Sequence, residues 1–102
     1  MAKRKIVWTK TAAKQRREVL RYWTSRNRST AYPEKLIKLI SERINIILLH
    51  PEAYKSSIYP ETKISAMGHF SILYKLTESN LIITSFWDNR QDPKTLLKII
   101  ST

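Results

Sequence analysis

Apolar residues recur at a helical spacing over the first half of the chain, after one short apolar run. That run, Ile6-Val7-Trp8, is rich in strand-forming residues and predicts a first β-strand. Thr9 or Thr11 is suited to cap a helix that extends to about Asn27. One side of this helix is predicted to be apolar, and it carries Ala12, Ala13, Val19, Leu20 and Trp23.

Arg16 interrupts the apolar side of this first helix. A helical wheel places its side chain among the apolar ones. Two explanations are open: the stem of Arg16 reaches the edge of the core while its charged head stays in water, or a partner covers this part of the helix. The opposite side carries a basic stripe of Lys10, Lys14, Arg17, Arg21 and Arg28.

A second helix is predicted after the polar turn at residues 26–30. Ser29 or Thr30 is suited to cap it, Pro33 is tolerated in its first turn, and His50-Pro51 ends it. Its buried face is predicted to consist of Leu36, Ile37, Ile40, Ile44, Ile47 and Leu48. Because the connection is short, we expect the two helices to pack as an antiparallel hairpin.

After Pro51 the hydrophobic period shortens and predicts strands. A loop at residues 56–60 precedes a strand over residues 63–67, and Gly68, the only glycine, suits a turn that needs a positive φ. Apolar and polar residues alternate over residues 70–76, which is typical of a half-buried strand, and residues 81–87 form a third strand of this group. Asp92-Pro93 begins a final helix that carries Leu96, Leu97, Ile99 and Ile100. The predicted order is β-α-α-β-β-β-α.

Composition limits the kind of protein. A chain of 102 residues with 42% hydrophobic residues forms one domain, residues 1–102, around one core. Its longest apolar runs are too short for a membrane span or a signal peptide, so we expect a cytoplasmic protein without a membrane partner. Cysteine is absent and the two histidines, His50 and His69, are far apart, so neither a metal site nor any other cofactor is expected.

Charge is concentrated at one end of the chain. The net charge is +11, and residues 1–28 hold ten Lys or Arg against one Glu. Such a field favours a polyanionic partner, either nucleic acid or an acidic protein. We therefore predict that Lys10, Lys14, Arg17 and Arg21 bind a target; the alternative is a solvated face that only promotes solubility.

Four stretches carry a resemblance to a known family, and together they cover nearly the whole chain. They are Ile6-Val7-Trp8-Thr9-Lys10-Thr11-Ala12, Leu48-Leu49-His50-Pro51-Glu52, Gly68-His69-Phe70-Ser71-Ile72-Leu73-Tyr74 and Phe86-Trp87-Asp88-Asn89-Arg90-Gln91-Asp92-Pro93. In this order and spacing they resemble the RelE/ParE superfamily of bacterial type II toxins. The resemblance implies an α+β fold: a twisted antiparallel sheet of about four strands, with the two-helix hairpin packed on it and a short C-terminal helix.

The resemblance also implies partners. A toxin of this superfamily arrests growth and is neutralised by a cognate antitoxin, whose tail wraps the toxin; operator DNA is contacted only through the antitoxin. RelE-like members enter the ribosomal A site and cleave mRNA, whereas ParE-like members inhibit DNA gyrase and are not nucleases.

The residues of this chain favour the ParE-like activity. Metal-free RNA cleavage needs a base, an acid and cations around the phosphate, and the candidates here are Lys63, His69 and Arg90. Ser71, however, stands where the resemblance implies a nuclease arginine, and no Tyr or His follows Arg90. We therefore predict gyrase binding, with a ribosome-dependent, metal-independent mRNA endonuclease as the alternative.

Two further residues are candidates for target binding. Arg90 follows an apolar strand and is suited to bind a phosphate or a carboxylate of the target, or else to pair with a neighbouring aspartate. Trp87 is suited to stack on a base or fill an antitoxin pocket, although core packing is the commoner role of such a residue. Trp8 and Trp23 are expected in the core or in an antitoxin groove. A third interpretation is a non-toxic, basic nucleic-acid-binding domain, whose gene would have no antitoxin gene beside it.

Overall fold

Apart from one short additional strand, the described helices and strands follow the β-α-α-β-β-β part of the order predicted from the sequence. The structure is a computed structural model that describes residues 4–52, 55–57 and 60–89. Its elements are β1 (Lys5–Trp8), α1 (Lys10–Asn27), α2 (Ala31–Leu49), β2 (Lys55–Ser56), β3 (Lys63–Met67), β4 (Phe70–Leu76) and β5 (Asn80–Asp88). The two-residue β2 was not expected; it overlaps the loop predicted at residues 56–60 at Ser56 alone. The predicted final helix lies outside the described residues.

The sheet is mixed, which corrects one part of the expected fold. Its strand order is β1-β5-β4-β3-β2, and the pairs from β5 to β2 are antiparallel. The pair of β1 and β5 is parallel, with Lys5 opposite Asn80 and Trp8 opposite Ile83. In the sequence, both helices come between β1 and the other strands. A crossover of this length allows parallel pairing, whereas a hairpin turn does not.

A side chain caps α1, whereas Thr30, the residue before α2, makes no capping hydrogen bond with its side chain. The hydroxyl of Thr9 accepts the backbone N–H of Ala12 at 3.1 Å, so Thr9 rather than Thr11 caps α1. At the start of α2 the hydroxyl of Ser29 accepts the N–H of Ala31 at 3.1 Å. Between the helices, Arg28 adopts a left-handed conformation with φ of 50°, which ends α1 and turns the chain.

The core lies between the helices and one face of the sheet. Ala12 of α1 and four residues of α2 pack on the three central strands; the buried cluster includes Leu36, Ile40, Ile44, Ile47, Phe70, Ile72, Tyr74, Leu81, Ile83 and Phe86. The rings of Phe70 and Phe86 stack with centroids 5.2 Å apart. The hydroxyl of Tyr74 donates to the carbonyl of Pro51 at 3.0 Å, which ties the end of α2 to β4.

Two burial predictions were wrong. Ile37 was assigned to the buried face of α2, but its side chain is 51% exposed because it lies at the edge of that face, beside a groove. The alternation in β4 predicted one exposed face, yet Ser71 and Leu73 are buried as well. In the register of β4 and β5, Ser71 lies opposite Trp87, a bulky neighbour on this second face.

Gly68 forms the turn between β3 and β4 with φ of 61°, as its position in the sequence predicted. In the part of the chain that the structure describes, no helix is long and apolar enough to cross a membrane.

Candidate partner-binding groove

A groove with a volume of about 430 Å³ is lined by β1, α1 and α2. Most of its lining is aliphatic or aromatic: Ile6, Trp8, Leu20, Ile37, Ile40 and Ile44. Its polar side chains are those of Arg16, Ser41 and Asn45. Ile40 and Ile44 belong to the core, so the groove opens directly onto the packed interior of the domain.

The rim of the groove exposes apolar surface next to an unpaired strand edge. Ile6 is 37% exposed and Ile37 51%. β1 is an edge strand: β5 pairs with one side of it, and no strand in the described ranges pairs with the other. Exposed apolar side chains beside free backbone donors and acceptors are typical of a surface that a second chain covers.

Arg16 lies in the wall of this groove. Its guanidinium carbon is 4.2 Å from the centre of the Trp8 ring, a cation–π geometry, and the side chain is half-buried. In the described part of the chain no carboxylate lies within 4.0 Å of it. The break that Arg16 makes in the apolar side of α1 therefore falls at the groove, where a charged head remains accessible.

Gln15 fixes the position of this part of α1, and the sequence analysis missed it. β1 ends at Trp8, so β5 has no strand partner on that side at Phe86. The side-chain oxygen of Gln15 accepts the backbone N–H of Phe86 and the hydroxyl of Ser85, each at 2.9 Å. The sequence signal that could have identified Gln15 is its position on the apolar side of the helical wheel, three residues after Ala12.

The basic stripe lies on the outer surface of α1. Lys10, Lys14, Arg17 and Arg21 are all exposed, on the side of the helix opposite the buried Ala12. None of the four forms an ion pair with any residue that the structure describes. The stripe and the groove are therefore two different surfaces that share one helix.

Aromatic residues and an arginine cluster near the connection between the helices. Arg26 donates to the hydroxyl of Tyr22 at 2.9 Å, and its guanidinium carbon lies 5.6 Å from the centre of the Trp23 ring. Trp23 in turn makes an edge-to-face contact with Tyr32, with centroids 5.0 Å apart. Trp23 thus joins the two helices near their connection and does not line the groove.

Two of the three nuclease candidates, Lys63 and His69, are not brought together. Lys63 begins β3 and forms an ion pair with Glu52 at 3.4 Å, whereas His69 is exposed in the turn after the other end of β3. The strand alone separates them by more than about 13 Å. Ser71 is 4% exposed and donates to the side-chain oxygen of Asn89 at 2.8 Å. Arg90 lies outside the described residues.

Trp87 is a correction to the predicted binding residues. It is 6% exposed, so its ring is not available to stack on a base or to enter an antitoxin pocket. Its side chain packs within the domain, which was the alternative given for it. Trp8, by contrast, is the tryptophan that lines the groove.

One family model matches most of this chain, and a solved structure shares its fold. The profile of the ParE toxin of the type II toxin–antitoxin system parDE matches residues 6–93. A solved structure of a chromosomal ParDE toxin–antitoxin system from P. aeruginosa superposes with a TM-score of 0.70 at 15% sequence identity, covering 81% of this chain and 92% of that chain. At that identity the similarity concerns the fold. Comparison with characterised protein sequences gives no match.

Proposed function

Since the chain belongs to the ParE toxin family and is the toxin component of a type II toxin–antitoxin system, we propose that it arrests growth by binding DNA gyrase. In this proposal the toxin acts in the cytoplasm and is not itself a nuclease. Its cognate antitoxin neutralises it by filling the groove beside β1.

The observation that carries the binding mechanism is the separation of Lys63 from His69. Acid–base cleavage of RNA needs its proton donor, proton acceptor and cations within hydrogen-bonding distance of one phosphate. Lys63 and His69 lie at opposite ends of β3. Where the resemblance implies a nuclease arginine, Ser71 has a buried hydroxyl that already donates a hydrogen bond to Asn89. This arrangement supports a toxin that acts by occupying its target.

The basic stripe is the surface that we assign to the target. Four of its five cations, from Lys10 to Arg21, extend along about 16 Å of helix without a carboxylate partner in the described ranges. A row of unpaired cations accelerates association with an anionic surface and contributes to its affinity. Arg90 is proposed as an additional target-binding residue on the strength of the sequence alone.

The groove is the surface that we assign to the antitoxin. Its apolar walls, its exposed rim at Ile37 and the edge of β1 that no described strand covers together suit a segment that contributes apolar side chains and backbone hydrogen bonds. Because groove and stripe lie on different sides of α1, an antitoxin in the groove would block the target through its bulk or through contacts beyond the groove.

The test is inducible expression in a bacterium, together with gyrase supercoiling and cell-free translation assays on purified toxin. We expect growth arrest, inhibited supercoiling and intact translation. Failed translation with discrete new 5′ ends in the mRNA would replace the proposal with ribosome-dependent cleavage. Normal growth with full expression would show that this chain is not an active toxin.

A further inference from the structure

Arg16 is a charged side chain in an otherwise mostly apolar groove, and no residue that the structure describes provides a counter-ion for it. Its guanidinium lies 4.2 Å from the centre of the Trp8 ring, and Leu20, Ile40 and Ile44 line the same cavity. Within the described part of the chain its N–H groups donate no hydrogen bond. Withdrawing a cation from water in this way is unfavourable unless another group compensates it.

The contact with Trp8 orients the donors of Arg16. A guanidinium carries five N–H donors in one plane, and stacking occupies a face of that plane rather than its edge. Trp8 is itself held in place, because it ends β1 opposite Ile83. The pair therefore presents a preoriented set of donors to whatever enters the groove, and a carboxylate is the group that matches this fork in two parallel hydrogen bonds.

We propose that Arg16 determines which segment the groove accepts: an apolar segment of the antitoxin with one Asp or Glu, whose carboxylate binds the Arg16 guanidinium. The inference rests on the proposed function, since it takes the groove as the docking site of the antitoxin. Ser41 and Asn45, exposed on the α2 side, provide a hydroxyl and an amide for further polar contacts of the same segment.

Two observations favour an acidic protein segment over nucleic acid. The groove offers one cation among apolar walls, whereas a nucleic-acid strand would bring several phosphates into the same space. The cations that could match successive phosphates lie on the opposite side of α1, at Lys10, Lys14, Arg17 and Arg21. A chain with a net charge of +11 also binds an acidic partner more readily than a basic one.

The experiment selects peptides from a random 16-residue display library on four purified proteins: wild type, Arg16→Met, Arg16→Glu and Arg17→Glu. Arg17→Glu is the matched control, since it makes the same charge change one residue away on the exposed side of the helix. We expect the wild type and Arg17→Glu to enrich apolar peptides with Asp or Glu at one fixed position. Arg16→Met should lose that preference, and Arg16→Glu should enrich Lys or Arg there.

The affinity of a selected peptide then measures the pairing. We expect the replacement of its acidic residue by Gln to weaken binding to wild type roughly 10- to 100-fold, the range of a hydrogen bond to a charged group. The same replacement should not change binding to Arg16→Met. Circular dichroism verifies that each variant folds, and Arg16→Met, which keeps an aliphatic side chain, carries the test even where Arg16→Glu does not fold.

The two ideas fail in different ways. Selection of the same apolar peptides by wild type and Arg16→Met, with no fixed acidic position, would overturn the role of Arg16 and leave the groove as a docking site. Peptides whose binding is unaffected by Ile37→Ser would show that the groove is not the docking site, which would overturn the inference together with that part of the proposed function.

Discussion

The side-chain oxygen of Gln15 accepts the backbone N–H of Phe86 at 2.9 Å, at the point where β5 continues beyond the end of β1. A helix side chain thus takes over the hydrogen bond that a neighbouring strand would make. Ser85, which is fully buried, donates to the same oxygen. This relationship fixes the packing of α1 on β5 next to the groove.

Replacing Gln15 by leucine is therefore expected to destabilise the domain. The change leaves two buried donors, on Phe86 and Ser85, without an acceptor, although it also removes the amide nitrogen of Gln15, which is buried without a partner. We expect the free energy of unfolding to fall by about 1–2 kcal/mol, less than two fully unpaired donors would cost. Urea denaturation measures it. Lys14→Leu, on the exposed side, is the control, and equal midpoints for the two variants would contradict the role of Gln15.

Charge reversal tests the stripe. The double variant Lys14→Glu/Arg17→Glu should fold normally, since both side chains are exposed, but should raise the toxin concentration that half-inhibits gyrase roughly tenfold. The loss should be largest at low salt, where exposed charges are screened least. Supercoiling assays at several potassium chloride concentrations measure it.

Lys35→Glu/Lys38→Glu is the matched control for the stripe. It changes the net charge by the same amount, and both lysines are exposed on α2, outside the lining of the groove. A similar loss in both double variants would mean that overall charge, not the stripe, attracts the target.

Substitution of His69, in the turn between β3 and β4, distinguishes a binding mechanism from RNA cleavage. His69→Ala should leave growth arrest and gyrase inhibition within about twofold of wild type, because the His69 side chain is exposed and far from Lys63. Colony counts after induction measure the arrest. His50→Ala, the other histidine of the chain, is the control. If cells that express His69→Ala survive while cells that express His50→Ala stop growing, a catalytic role for His69 would be favoured.

The β-α-α-β-β-β part of the predicted order and most of the buried face of α2 were correct because period and capping are local properties. The caps at Thr9 and the turn at Gly68 needed no knowledge of the rest of the chain. The parallel pairing of β1 with β5 was not predictable in the same way. It joins residues such as Trp8 and Ile83, and the apolar run of β1 carries no mark of its partner or its direction.

The burial of individual side chains and the residues of the groove depend on tertiary neighbours, which a helical wheel does not show. The wheel gave the direction of Ile37 but not the groove beside it, and it identified Arg16 as anomalous without revealing Trp8 beneath its guanidinium. Trp87 was a candidate binding residue because a tryptophan can stack on a base or fill a pocket, yet the register places it opposite Ser71 and it is buried. Such pairings are tertiary, so the sequence pattern could raise these residues as candidates without deciding among their roles.

Ile37 gives the most direct test of the groove. Its side chain is 51% exposed, so Ile37→Ser should cost little stability, but it removes apolar surface that the antitoxin would cover. We expect the affinity for the cognate antitoxin to fall about tenfold, and cells that co-express both proteins to stop growing. Toxicity without antitoxin should persist, because the stripe is unchanged. Leu39→Ser, at a 38% exposed apolar residue of the same helix outside the groove lining, is the matched control and should still be neutralised. If the antitoxin binds and neutralises both variants equally, it docks on a surface other than the groove, and the exposure of Ile37 then has another cause.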